Sequence, residues 1–126
     1  MAGRARVAGL GLVGLAVLLS VAATSGEKPA GSEAAEAYPE AAAILELRGD
    51  PAYGAYLAGE CVTCHRPSGS PGIPPIAGLD PTLFVTALVE FRRGDRHNEV
   101  MRTTASRLGD AEIAALAAHF GSLEPH

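Results

Sequence analysis

The sequence contains no tryptophan and only three tyrosines and three phenylalanines among its 126 residues. A core with so few rings lacks its usual bulky filler, so something other than side chains is expected to occupy the centre. An excess of positive charge is also missing. Ten Lys and Arg stand against 14 Asp and Glu, a formal −4, which argues against a nucleic-acid binder held by a basic face. No stretch alternates apolar and polar residues with enough β-branching to form a strand, so a sheet is not expected. The length allows one domain and rules out a large catalytic core. Full disorder is excluded by 48% hydrophobic and 19% charged residues.

The chain begins with what reads as a targeting segment. Arg4 and Arg6 precede an apolar run from Val7 to Ala23, and Val21-Ala22-Ala23 supplies small residues for cleavage. Residues 1–23 are therefore expected to be a secretory signal peptide. The alternative is a retained N-terminal anchor, although the run is at the short limit for spanning about 30 Å of hydrocarbon. Both readings place the rest of the chain in the periplasm, and membrane attachment follows only if the segment stays. Losing Arg4 and Arg6 leaves eight basic residues against 14 acidic ones, a formal −6, and leaves Met101 as the only methionine. Residues 24–45, rich in Ala, Glu, Gly, Ser and Pro, read as a flexible linker, with a helical turn near Ala41–Leu47 broken at Gly49-Asp50-Pro51. Residues 46–126 read as the domain.

That domain is expected to be all-α, with about four helices. Asp50-Pro51 and Asp80-Pro81 are helix starts, because Asp caps orphan N–H groups and Pro suits the first helical position. Leu83, Phe84, Ala87, Leu88 and Phe91 form an apolar stripe that stops at Gly94. A short helix is expected near Asn98–Ala105. A last one begins at Gly109-Asp110 and carries Ile113, Leu116, Ala117 and Phe120 to Gly121. Between the first two helices, Arg66 to Gly78 is too rich in Pro and Gly for regular structure.

Both cysteines lie in Cys61-Val62-Thr63-Cys64-His65. This C-x-x-C-H pattern signals covalent attachment of c-type haem. Residues three and four apart share a helix face, so Cys61 and Cys64 reach two vinyl groups on one porphyrin edge while His65 turns toward the iron. Three other readings compete. A thioredoxin-like dithiol wants a βαβ setting, a disulfide across so short a loop stabilises little, and a zinc site needs ligands from elsewhere. Export, an all-α pattern and the shortage of rings favour one haem c, which also supplies the missing core volume.

The sixth iron position is either filled or open. Met/His ligation is the cytochrome c arrangement and raises the potential. Met101 is the candidate, and His97 is its rival. A filled position argues against a haem enzyme or gas sensor, which needs an open one. The charged loop Arg92-Arg93-Gly94-Asp95-Arg96 has two readings: favourable placement at a helix C-terminus with solvation, or contact with haem propionates or an acidic partner.

From about Asp50 to Leu123 the chain resembles a class I cytochrome c in the order of its parts: leading helix, Cys61–His65 motif, Gly/Pro loop, middle helix, Met101 and closing helix. Within that family, Gly72-Ile73-Pro74-Pro75-Ile76-Ala77-Gly78 is similar to the G-x-P-x-x-x-G stretch of bacterial cytochromes. The resemblance implies that the Pro74 carbonyl accepts from the His65 ring N–H, a contact that fixes the tautomer. The stretches DPTLFVTALVEFRRGDRHNEVM and RLGDAEIAALAAHF, with Tyr53-Gly54 and Tyr56-Leu57, resemble the small cytochrome subunit of flavocytochrome c sulfide dehydrogenases. That subunit accepts electrons from a sulfide-oxidising flavoprotein. The implied function is one-electron transfer beside a flavoprotein dehydrogenase subunit or another redox protein. The alternative is a free-standing shuttle between respiratory or photosynthetic complexes. Two departures stand out: Arg66 occupies a position where many relatives have Gly, and the single attachment motif excludes a two-haem version.

Overall fold

Asp50 and Asp80 each fold back onto the helix they start. Asp50 Oδ1 accepts from the Ala52 N–H at 2.8 Å, and Asp80 Oδ1 accepts from Thr82 and Leu83 at 2.9 and 3.2 Å. Each is followed by a proline at the first helical position. The computed structural model describes Glu33 and residues 36–125. Its named helices are α1 (Pro39–Glu46), α2 (Pro51–Cys64), α3 (Pro81–Arg93), α4 (Glu99–Arg107) and α5 (Asp110–Gly121). Among the described residues the only bridge between extended segments joins Ser70 and Ile73, so the all-α expectation stands. α3 ends at Gly94 as its composition implied. α5 starts at Gly109, whose N–H donates to Glu112 Oε2 at 2.7 Å, half of a capping box.

The core is built mainly from α3 and α5. Phe84 and Phe120 stack with centroids 5.5 Å apart. Val85, Leu88, Val89, Ile113, Leu116 and Ala117 are buried around them. α2 reaches this core through backbone proximity rather than large side chains. A Cβ on Gly54 would stand 2.0 Å from the Ala115 carbonyl oxygen and 2.7 Å from His119 Cβ. Glycine on α2 and buried Ala114 and Ala115 on α5 therefore let the helices approach closely, with Tyr53 OH donating to Glu112 at 3.4 Å. This crossing sets the direction in which α2 delivers its last turn.

The expected 24–45 linker is corrected at its end. Pro39–Glu46 forms α1, in which Ala41 and Ile44 are 0% and 1% exposed and which packs on α3 and α5. The physical reason is that Ala and Glu favour helix wherever a neighbour covers one face, and Ala41 and Ile44 lie three apart on that face. The packed part of the chain thus includes residues before 46, and α1 brings the named helices among the described residues to five, in keeping with the expected all-α domain of about four. The 1–23 segment and residues 24–32 lie outside the described residues.

Arg92 locks α1 in place. Its guanidinium donates to Glu40 on α1, to Asp110 on α5 at 2.8 Å and to the Leu108 carbonyl at 3.0 Å. These carboxylates hold the Arg92 pKa above its ordinary value, against a partial loss of hydration that acts to lower it. Arg93 pairs with Asp95 at 3.0 Å and sits over the Tyr38 ring. Arg96 lies over Phe91, 3.5 Å from Glu90. All three arginines of the charged loop are engaged inside the molecule. Thr86 is the buried polar residue whose hydroxyl has no partner among the described residues.

Candidate functional site

The last turn of α2 carries Cys61, and the helix ends at Cys64. His65 follows as the C-cap, its N–H donating to the Cys61 carbonyl at 2.9 Å. Both thiols are free. Cys61 is half-buried and Cys64 exposed. Burial pushes the Cys61 thiol up from its ordinary pKa, and the charge of Glu60 adds to that.

Beyond Cys64 the chain leaves the helix, and His65 turns toward the Gly/Pro loop. Its Nδ1 lies 2.7 Å from the Pro74 carbonyl oxygen. A carbonyl only accepts, so Nδ1 carries a proton, and in the neutral tautomer that this contact selects the lone pair lies on Nε2. The loop that presents Pro74 is pinned along its length. Gly69 N–H donates to the Arg66 carbonyl at 2.8 Å, and Ser70 and Ile73 exchange backbone bonds of 3.0 and 2.9 Å. Gly78 N–H donates to the Phe120 carbonyl at 2.9 Å, with φ 72° and Pro125 packed where a Cβ would stand.

Met101 lies in the first turn of α4. It is half-buried and packs on the core cluster together with Leu57, Cys61, Ile76, Leu79 and Phe91. His97, its rival in the sequence, is exposed on the loop before α4. The structure therefore brings His65 and Pro74 into direct contact and sets Met101 and Cys61 against one apolar cluster. No bond joins Met101 to His65.

These residues fit a haem. Two unpaired thiols stand at one helix end beside an imidazole whose Nε2 is left open by its bond to Pro74. A soft thioether shares an incompletely covered apolar cluster with one of those thiols. Imidazole and thioether are a cytochrome's iron ligands, and a covalent macrocycle accounts for the shortage of aromatic filler. Among the described residues no three His, Cys, Asp or Glu side chains gather as a metal-binding cluster, so a zinc site built on Cys61 and Cys64 has no supporting ligands there. When bound, the haem supplies a one-electron ferric/ferrous couple.

Sequence reasoning missed two contacts. Arg92 bonds to residues 52 and 18 positions away, which no local pattern reveals. Asn98 Oδ1 accepts from the Met101 N–H at 3.0 Å. The signal for that bond was present, since Asn before a helical segment is a capping residue, but its bearing on Met101 appears only in the structure.

No family model matches the chain. It is 34% identical over 89 residues to the cytochrome subunit of sulfide dehydrogenase from Chlorobaculum tepidum, covering 69% of this chain and 76% of that protein. It is 35% identical over 72 residues to a thiosulfate dehydrogenase electron acceptor from Thiomonas intermedia, covering 54% and 33% respectively. It is 38% identical over 78 residues to a cytochrome c4 from Thiocapsa roseopersicina, covering 59% and 40%. The chain thus spans three quarters of the first protein and two fifths or less of the other two.

Proposed function

The chain belongs to the c-type cytochromes, and on that footing we propose that it is the electron-accepting subunit of a periplasmic flavoprotein dehydrogenase that oxidises sulfide. One-electron transfer through a covalent haem c is the activity that comes with the family. The observation that carries the site assignment is the 2.7 Å contact between His65 Nδ1 and the Pro74 carbonyl. It fixes the tautomer, aims Nε2 and raises the basicity of the imidazole.

In this reading Cys61 and Cys64 would hold the haem through two thioethers, and His65 and Met101 would supply its iron with a nitrogen and a sulfur ligand. His65 is oriented by Pro74 and holds its Nδ1 proton throughout. Met101 supplies the thioether that raises the potential. The core packing of Leu79 and Phe91 limits water at the site. Because both ligands stay in place as the charge changes, little rearrangement accompanies electron transfer. Among the described residues no helix is long and apolar enough to cross a membrane; periplasmic placement rests on the 1–23 segment and on the kind of relative matched.

The name of the Chlorobaculum tepidum relative supports the sulfide dehydrogenase reading. So does the commitment of Arg92, Arg93 and Arg96 to acids of the same chain, which takes from this loop the free positive charge that a salt-steered shuttle would use for docking. The test is purification from the native host, followed by reduction of the haem with sulfide. A flavoprotein that co-purifies, and through which sulfide reduces the cytochrome, is the expected result. Ile73 is half-buried on the Gly/Pro loop, and Ile73→Asp is expected to weaken that association without altering the haem spectrum. If no flavoprotein co-purifies and every donor reduces the haem with steep salt dependence, the shuttle reading replaces this one.

A further inference from the structure

Of the five residues that open α4, Glu99, Val100, Arg102 and Thr103 are exposed, and only Met101 is half-buried. The loop before it, Gly94 to Asn98, is exposed at every residue. The next buried anchor is Ala105, a full turn later. The Glu99–Arg102 ion pair, at 2.7 and 3.0 Å, lies within the turn itself and ties it to nothing outside. What fastens this turn to the chain before it is Asn98. Its backbone is extended, with φ −170° and ψ 113°. Its side-chain oxygen accepts from the Met101 N–H at 3.0 Å, and its carbonyl accepts from the Arg102 N–H at 2.8 Å. The capped donor is therefore the backbone N–H of the residue that presents the thioether.

We propose that Asn98 is a positioning residue for the iron ligand, holding the Met101 backbone so that its sulfur stays at the haem. The inference rests on the reading of Met101 as the sixth ligand. Without the cap, the Met101 N–H loses its partner in a turn with little packing of its own, and the turn frays with the thioether attached. A cap is worth enough to change an opening equilibrium about five-fold, so the sulfur leaves the iron more often and an added ligand gains access.

The test uses the haem-loaded protein and compares Asn98→Ala, Asn98→Asp, Glu99→Ala and Met101→Ala. Each is measured by cyanide association with the ferric form, by the thioether-to-ferric-iron absorption band and by midpoint potential. Asn98→Ala is expected to bind cyanide about five-fold faster, with a weaker band and a lower potential. Asn98→Asp keeps a capping oxygen and is expected to restore all three. Glu99→Ala removes the ion pair but leaves the cap, and is expected to match the parent. If Asn98→Ala loses stability while cyanide binding, band and potential stay at parent values, the cap is merely structural and the proposal is overturned. If Met101→Ala also leaves the band unchanged, the ligand reading falls and this inference falls with it. Loss of the band in Met101→Ala but not in Asn98→Ala overturns the positioning role alone. Should Asn98→Ala fail to accumulate, Asn98→Thr against Asn98→Asp gives the same comparison, with the weaker Thr cap expected to bind cyanide faster.

Discussion

On the His65 side of the site, the thiols and the imidazole fall within five consecutive residues at the end of the 14-residue α2. That helix is pressed backbone to backbone on α5 at Gly54, and the imidazole is tied to a loop pinned to the Phe120 carbonyl. On the Met101 side, the proposed ligand sits in the first turn of the nine-residue α4, next to an exposed loop and under a single side-chain cap. The first side is rigid through covalent neighbourhood and close packing. The second is held by one side-chain bond and by what Met101 itself buries. The contrast teaches that the imidazole is held by several independent contacts, while the thioether proposed as the second ligand depends on one cap.

Breaking the strong side has the largest effect. With Cys61→Ala and Cys64→Ala together, no haem is expected to remain on the denatured polypeptide after extraction, and the chain is expected to lose most of its cooperative fold, because the centre is left unfilled. Absorbance of the extracted protein and circular dichroism check both. Haem that survives extraction would mean the motif has been misread. Next comes the crossing behind it. Gly54→Ala drives a methyl into the α5 backbone and is expected to cost about 1–3 kcal/mol or more, seen as a lower denaturant midpoint. An unchanged midpoint would show that the α2–α5 approach is looser than the structure has it.

α1 offers a sharper control, since it packs on α3 and α5 and not on α2 or α4, the helices that carry Cys61, Cys64 and Met101. Arg92→Gln breaks the bonds to Glu40 and Asp110 and is expected to lower stability by about 1–3 kcal/mol. The haem spectrum and potential should stay at parent values. A change in potential would show that Arg92 acts on the site and not only on the fold. The smallest effect is expected at Thr86, whose buried hydroxyl has no partner among the described residues. Thr86→Val keeps the shape and removes the unpaired group, so stability should rise by about 1 kcal/mol. A loss instead would mean that the hydroxyl finds a partner in the haem-loaded protein.

The same contrast explains what the sequence revealed. The strong side was legible because its signals are local: Asp50-Pro51 starts α2, and Cys61, Cys64 and His65 stand at fixed spacing. Asp80-Pro81 and the Gly94 stop defined α3 for the same reason. The contact of Pro74 with His65 spans nine residues, and family resemblance rather than spacing anticipated it. The Ala- and Glu-rich composition of α1 matches a spacer, and the sequence signals only a helical turn near Ala41–Leu47 within it. Only the burial of Ala41 and Ile44 under α3 and α5, with Arg92 reaching back to Glu40, marks it as part of the domain. Asn98 was read as lying at the start of a short helix, but its hold on Met101 depends on which residue three positions on faces the core. Contacts between distant elements, such as Arg92 to Glu40 and Asp110, stay hidden in the sequence; on the weak side the cap itself is local, and only the burial of Met101 needs the structure.

A closed electron-transfer site needs an iron held by both Met101 and His65, and the thioether-to-ferric-iron absorption band of the oxidised protein tests this most directly. The band should be present in the parent, persist in His97→Ala and vanish in Met101→Ala, which should also bind cyanide or imidazole readily. A parent protein that lacks the band and takes up such ligands freely would contradict the account, and would mean an open sixth position in place of a closed electron-transfer site.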